Sequence, residues 1–169
     1  DRSGSMCSTI QQAARATVAA MMAFDVPGIE TQVSVFPVYA PVGDSSCDEG
    51  VAVVKRWEES PRHLAGRIAG LDTSGGTPMA EAILFAASDI CRRDETLKLI
   101  CVVTDGDPDD EASTMEVIAT ARASGITVVG LGIGVDPSRV FGERYSATLL
   151  DIRELSGAMI KLIKSSMYH

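Results

Sequence analysis

Two largely apolar runs do most to limit what this chain can fold into. Residues 97–104 read LKLICVVT and residues 126–133 read ITVVGLGI. A strand with one wet face alternates apolar and polar residues, so runs like these fit parallel strands buried on both faces. Parallel neighbours need a crossover, and the intervening stretch 111–124 has helical apolar spacing and stops at Gly125.

The rest of the chain keeps the alternation. Helices are expected over 8–24, where Ile10, Ala14, Val18 and Met21 recur at helical spacing, and over 61–71, 78–93 and 154–167. Residues 31–39 and 51–57 are β-branched and aromatic and read as a strand pair, with a last short strand at 147–152. This order predicts an α/β fold: a doubly wound, mostly parallel Rossmann-like sheet with helices on both faces and one antiparallel edge strand. At 169 residues the whole chain, 1–169, reads as a single domain.

The charge narrows the partners. Fifteen Lys and Arg against 23 Asp and Glu leave a net charge of −8, which argues against nucleic acid, whose binding rests on cationic side chains. The Arg92-Arg93 pair reads as a solvated helix end. No apolar run reaches the roughly 20 residues that span a bilayer; the longest, 13–24, carries Arg15 and Thr17. No membrane contact and a cytoplasmic location are therefore expected. Cys7, Cys47, Cys91 and Cys101 are scattered, and three of the four are expected to be small core residues. Met21, Met22, Met79, Met115 and Met159 fall at helix positions and are assigned to the core. His63 and His169 are not placed as bases beside a nucleophile.

In an open α/β sheet, ligands sit beyond the carboxyl ends of the strands. Three segments fall there. Asp1-Arg2-Ser3-Gly4-Ser5 precedes the first helix, and Thr104-Asp105-Gly106-Asp107 closes the first buried strand. Between them, Ser74-Gly75-Gly76-Thr77-Pro78 enters a helix, with Thr77 as its N-cap and Pro78 at its first position. Each alone reads as a turn or helix start. Together they offer carboxylates and hydroxyls without imidazole or thiolate, a donor set suited to a hard divalent ion such as Mg²⁺. The crowded Asp105, Asp107, Asp109, Asp110 and Glu111 read first as a solvated loop and helix N-terminal charges, and secondarily as an acidic rim for a basic partner. Asp44, Asp48 and Glu49 read as a loop.

Asp1, Ser3 and Ser5 as D-x-S-x-S, the Thr77 of GGTP and the Asp105 of TDG resemble the metal-ion-dependent adhesion site of von Willebrand factor type A domains. The resemblance implies Ser3, Ser5 and Thr77 as direct ligands of Mg²⁺ (or Mn²⁺), with Asp1 and Asp105 as outer or alternate ligands. It also implies a protein partner that supplies a carboxylate to the ion. The wording DRSGSM, GGTPMAEA and VVTDGDPDD is similar to the type A domain of the bacterial cobaltochelatase accessory subunit. That subfamily implies an AAA+ ATPase partner and metal insertion into a tetrapyrrole in cobalamin biosynthesis.

In type A domains a central strand runs into the first Asp of the motif, which here is residue 1. The expectation is a C-terminal part of a larger protein that lacks its first strand. An α-amino group at Asp1, with an ordinary pKa of about 7.7–8.0, would be cationic at neutral pH and would weaken ion binding, leaving the site unoccupied.

The leading functional expectation is a non-catalytic interaction module. One alternative is an aspartate-nucleophile phosphotransferase using Asp105 and Asp107 as a D-x-D pair. Against it, the next strand ends in Gly-Ile-Gly without the Lys such chemistry requires. The other alternative is a structural domain of the same family with a non-functional metal site.

Overall fold

The computed structural model describes residues 1–39, 47–48 and 50–167. Two three-stranded sheets carry the architecture. The first holds β1 (Val33–Val35), β2 (Cys47–Asp48) and β3 (Val51–Lys55), in the order β1-β3-β2, with both pairings antiparallel. The second holds β4 (Lys98–Thr104), β5 (Ile126–Ile133) and β6 (Ser146–Leu149), all parallel, with Ile100 opposite Val128 and Leu131 opposite Ala147.

Helices cover both faces, as the doubly wound α/β reading requires. On one side α1 (Ile10–Ala23), α2 (Leu64–Ile68) and α6 (Leu155–Met167) bury Ile10, Leu64 and Leu155 against Val129 and Leu131 of β5. On the other, α3 (Met79–Ile90), α4 (Glu111–Ala123) and α5 (Ser138–Phe141) bury Ile83, Ile118 and Phe141 against Ile126 and Val128. Alternate residues of β5 thus feed two cores. Gly130 lets Phe141 come close: a Cβ there would meet the ring Cγ at 2.6 Å. Arg122 of α4 ties the second face together, donating to the carbonyls of Val128 at 2.7 Å and Phe141 at 2.8 Å while stacking on Tyr145.

Several elements differ from expectation. The first strand shrinks from 31–39 to β1, since Pro37 has no N–H for a ladder. The expected strand pair is β1 with β3, antiparallel, and the two-residue β2 adds a further antiparallel strand at the edge. A 3₁₀ turn, Gly4–Ser8, takes only Ser8 of the helix expected over 8–24, which begins at Ile10, and another, Pro61–His63, precedes α2. The last strand ends at Leu149 rather than at residue 152. Among the described cysteine side chains, Cys7 and Cys91 are exposed, one on the first 3₁₀ turn and one just past α3, and Cys101 turns inward; the Cys47 side chain lies outside the described ones. Burial pushes the Cys101 thiol up to about 12, so it stays protonated and unreactive. Met22 and Met115 lie on the wet sides of their helices, whereas Met21, Met79 and Met159 are core. The expected loop residues Asp44 and Glu49, and His169, lie outside the described residues. Among the described residues no helix is long and apolar enough to cross a membrane.

β4 departs most tellingly. Read as buried on both faces, it is only half-buried at Leu99, Cys101 and Val103. Its edge away from β5 faces an elongated cavity of about 710 Å³ that separates it from β1. Ile10, Ala14 and Met21 line one wall of this slot, and Ala82, Ile83 and Ile90 the other.

Candidate metal centre

The three predicted segments meet at the carboxyl ends of β1 and β4. The first segment is tied to the 74–78 segment by two backbone bonds: Gly4 N–H donates to the Gly75 carbonyl at 3.0 Å and Ser74 N–H to the Arg2 carbonyl at 3.0 Å. The Asp109 N–H donates to the Thr77 carbonyl at 3.0 Å, closing the ring of loops.

Four of the five predicted site residues form one hydrogen-bonded chain. Asp1 Oδ1 accepts the Ser3 N–H at 2.7 Å, and the Ser3 and Ser5 hydroxyls stand 2.9 Å apart. The Ser5 hydroxyl donates to Asp105 Oδ1 at 2.6 Å, across 100 residues of sequence. Ser3 is buried, Asp1 and Asp105 are half-buried, and Ser5 is exposed, so the set opens to solvent on the Ser5 side. Thr77, the fifth, is buried on the adjoining loop, and its hydroxyl makes no hydrogen bond among the described residues. It is not the N-cap of α3. Pro78 holds that position, and no side chain caps the helix. The Thr77 hydroxyl is therefore not committed to the helix.

Thr104 is the residue that sequence reasoning passed over. Its hydroxyl donates to Asp1 Oδ2 at 2.6 Å and accepts the Gly106 N–H at 3.2 Å. The signal was present as the one buried hydroxyl at the end of an apolar run. Asp109 is a second omission: its Oδ2 lies 2.5 Å from where a Gly76 Cβ would stand, so only glycine leaves that carboxylate room. Tyr39, largely exposed, lies over Gly75, which has φ +70°. In contrast, Asp110 caps α4 by accepting the Ser113 N–H at 3.0 Å, which holds its carboxyl below the usual range. Glu111 pairs with Arg139. These two carboxylates serve the helix, and Asp107 is solvated.

The α-amino group of Asp1 corrects an expectation. It is buried and donates to the Val103 carbonyl at 3.0 Å. Burial pushes it from the usual 8.0 down to about 5, against the opposing pull of Asp105, so at neutral pH it is uncharged.

The donor chemistry fits a hard divalent ion. Each hydroxyl has one proton to give and two lone pairs. With the Ser5 proton on Asp105 and the Thr104 proton on Asp1, the Ser3 hydroxyl donates to Ser5, which leaves both Ser3 lone pairs and one on Ser5 free. Among the described residues no cluster of three or more His, Cys, Asp or Glu exists that could hold a metal, so an ion here would depend on the hydroxyls.

A family model described as von Willebrand factor type A domain matches residues 1–156. The chain is similar in structure to manganese-loaded TRAP protein of Plasmodium vivax (TM-score 0.72, 16% identity, 96% of this chain and 70% of that one). It is also similar to proximal thread matrix protein 1 of the mussel byssus with a zinc-occupied MIDAS motif (TM-score 0.73, 19% identity, 97% of this chain and 43% of that one). A third is a von Willebrand factor type A structure from Catenulispora acidiphila (TM-score 0.71, 19% identity, 98% of this chain and 41% of that one). The chain thus spans less than half the length of the last two. No curated protein sequence matches it.

Proposed function

Because the chain belongs to the von Willebrand factor type A family, we propose that it is a non-catalytic interaction module that bridges to a partner protein through a divalent ion. Ser3, Ser5 and Thr77 would hold the ion, Mg²⁺ or Mn²⁺, with Asp1 and Asp105 behind them. When bound, the ion supplies an open coordination position for a carboxylate of the partner. The observation that carries this reading is the Asp1–Ser3–Ser5–Asp105 hydrogen-bonded chain, drawn from two loops 100 residues apart and leaving hydroxyl lone pairs unspent. The manganese and zinc carried by two similar structures support a divalent ion of this kind.

The finer reading makes the partner the AAA+ ATPase of a bacterial cobaltochelatase, in the cytoplasm, with this chain acting in metal insertion into a tetrapyrrole. Its support is the wording around Asp1, Thr77 and Asp105. The 1–169 unit would then be one domain, the carboxyl-terminal part of a longer protein.

Calorimetric titration of Mg²⁺ and Mn²⁺ tests the general reading: saturable binding is expected, weakened at least about tenfold in Ser5→Ala and in Thr77→Ala, each a loss of about 1.4 kcal/mol. No binding of either ion overturns it. Binding to the cobaltochelatase ATPase that is abolished by EDTA supports the finer reading, and binding that persists in EDTA, or none at all, overturns it.

A further inference from the structure

A buried lysine without a counter-ion lies at the end of the fold away from the metal centre. Lys55 closes β3 and pairs with Val33 at the start of β1, so it is level with the amino end of that strand. It is only 2% exposed. Its ammonium donates to the Thr31 carbonyl at 2.5 Å and to the Arg56 carbonyl at 3.1 Å, and it makes no ion pair among the described residues. Three N–H donors against two acceptors leave one donor unspent. A lysine this deep is ordinarily paired, because a charge taken out of water costs free energy that a partner offsets. Burial accordingly lowers the Lys55 pKa from its usual value, against the opposing charge of Glu30, Glu59, Asp25 and Glu58.

Lys55 forms the floor of a cavity of about 440 Å³, a volume within the range of small-ligand sites. Its acceptor Thr31 and all four of those carboxylate residues line the same cavity. Two of the four are spent. Glu59 holds the Arg67 guanidinium and the Arg56 N–H, and Glu58 pairs with Arg93 at 3.5 Å. Asp25 and Glu30, both exposed, make no side-chain hydrogen bond or ion pair among the described residues. Phe24 and Trp57 add an apolar wall. The cavity thus asks two opposite things of one ligand: an anionic group for the unspent Lys55 donor and a cationic one for Asp25 and Glu30.

We propose that this cavity binds a free α-amino acid, with the ligand's carboxylate on the Lys55 ammonium, its ammonium toward Asp25 and Glu30, and its side chain against Phe24 and Trp57. An α-amino acid carries both charges on one carbon. That spacing suits carboxylates that form no ion pair with Lys55 yet stand close enough for their charge to act on it. A simple anion would meet the Lys55 donor but be repelled by Asp25 and Glu30, and a simple amine would meet those two but be repelled by Lys55. The site shares no residue with the metal centre, so it neither rests on the ion-bridging role nor fails with it.

Trp57 is the one tryptophan of the chain and lines the cavity, so its fluorescence reports occupancy. Titration with L-leucine and with glycine, followed by Trp57 emission and by calorimetry, is expected to show saturable binding, with a Kd of about 1 mM or tighter for leucine and a weaker one for glycine. Acetate and methylamine, each carrying one of the two charges, should bind at least about tenfold more weakly than leucine. The double variant Asp25→Asn, Glu30→Gln, at two exposed positions, should weaken leucine about tenfold, and Lys55→Met should abolish its binding. If loss of the buried lysine unfolds the chain, the double variant alone decides. Absence of saturable heat with both amino acids overturns the proposal. So does acetate or methylamine binding as tightly as leucine, or a leucine affinity that the double variant leaves unchanged.

Discussion

The Thr104 hydroxyl holds the Asp1 carboxylate at 2.6 Å, joining the end of β4 to the first residue of the chain. Thr104 is almost fully buried, so the bond is sheltered from water. Thr104→Val keeps the shape and removes the donor. It is expected to cost about 1.5–3 kcal/mol, the range for a hydrogen bond to a charged group, and to weaken divalent-ion binding. Urea unfolding and calorimetric titration of the same variant check the two effects.

A bound ion should stabilise the fold by mass action. At a hundred times its dissociation constant, Mn²⁺ or Mg²⁺ is expected to add about 2.7 kcal/mol, read as a higher thermal midpoint that EDTA reverses. In Asp105→Asn, which replaces the carboxylate that takes the Ser5 proton, the increment should shrink.

Gly130→Ala places a methyl group against the Phe141 ring, whose Cγ would lie 2.6 Å away. With both residues in the interior, overpacking of about 1–3 kcal/mol is expected in chemical denaturation. Ion binding, which uses neither of these side chains, should be unchanged.

Acid should unfold the chain partly through Glu59. Its carboxylate accepts from the Arg67 guanidinium at 2.5 and 2.9 Å and from the Arg56 N–H at 2.8 Å, which holds its pKa at about 2 instead of 4.5. The folded state then binds fewer protons than the unfolded one between these values. This stabilisation is present above about pH 4.5 and is lost as pH falls toward 2. Urea midpoints measured across that window should fall less steeply in Glu59→Gln than in the parent. Asp151, held at about 2 by Arg153, contributes the same sign and keeps some slope in the variant.

Asp110→Ala should lower the thermal midpoint by uncapping α4, which begins at Glu111. Circular dichroism melts would show the loss. The same substitution should leave ion affinity within about twofold, since Asp110 is spent on Ser113.

What could be read from the sequence was whatever depended on local period. Ile126–Ile133 was bounded to the residue because every position but Thr127 is apolar or glycine and both neighbours along the chain are stops. Leu99, Cys101 and Val103 carry the same local signal, yet their exposure depends on what lies across the slot, which no property of LKLICVVT reveals. Thr77 shows the same limit. Its position before Pro78 reads as an N-cap, but the Asp109 N–H bound to its carbonyl belongs to a loop 32 residues on. The motif residues Asp1, Ser3, Ser5 and Asp105 were legible as a set only through their family pattern, since sequence spacing does not bring residue 5 against residue 105. Thr104 was missed because a threonine ending a strand is also an ordinary β-former.

The bonds from Ser5 to Asp105 and from Thr104 to Asp1 close loops of 100 and 103 residues, so the cluster comes late in the history of each molecule. Closing a loop of that size carries an entropic cost that must be met before either bond can form, and most of the sheet has to be assembled first. An ion held there would act after the folding barrier is crossed. It would leave the rate of folding nearly unchanged and lengthen the life of the folded molecule by slowing its unfolding.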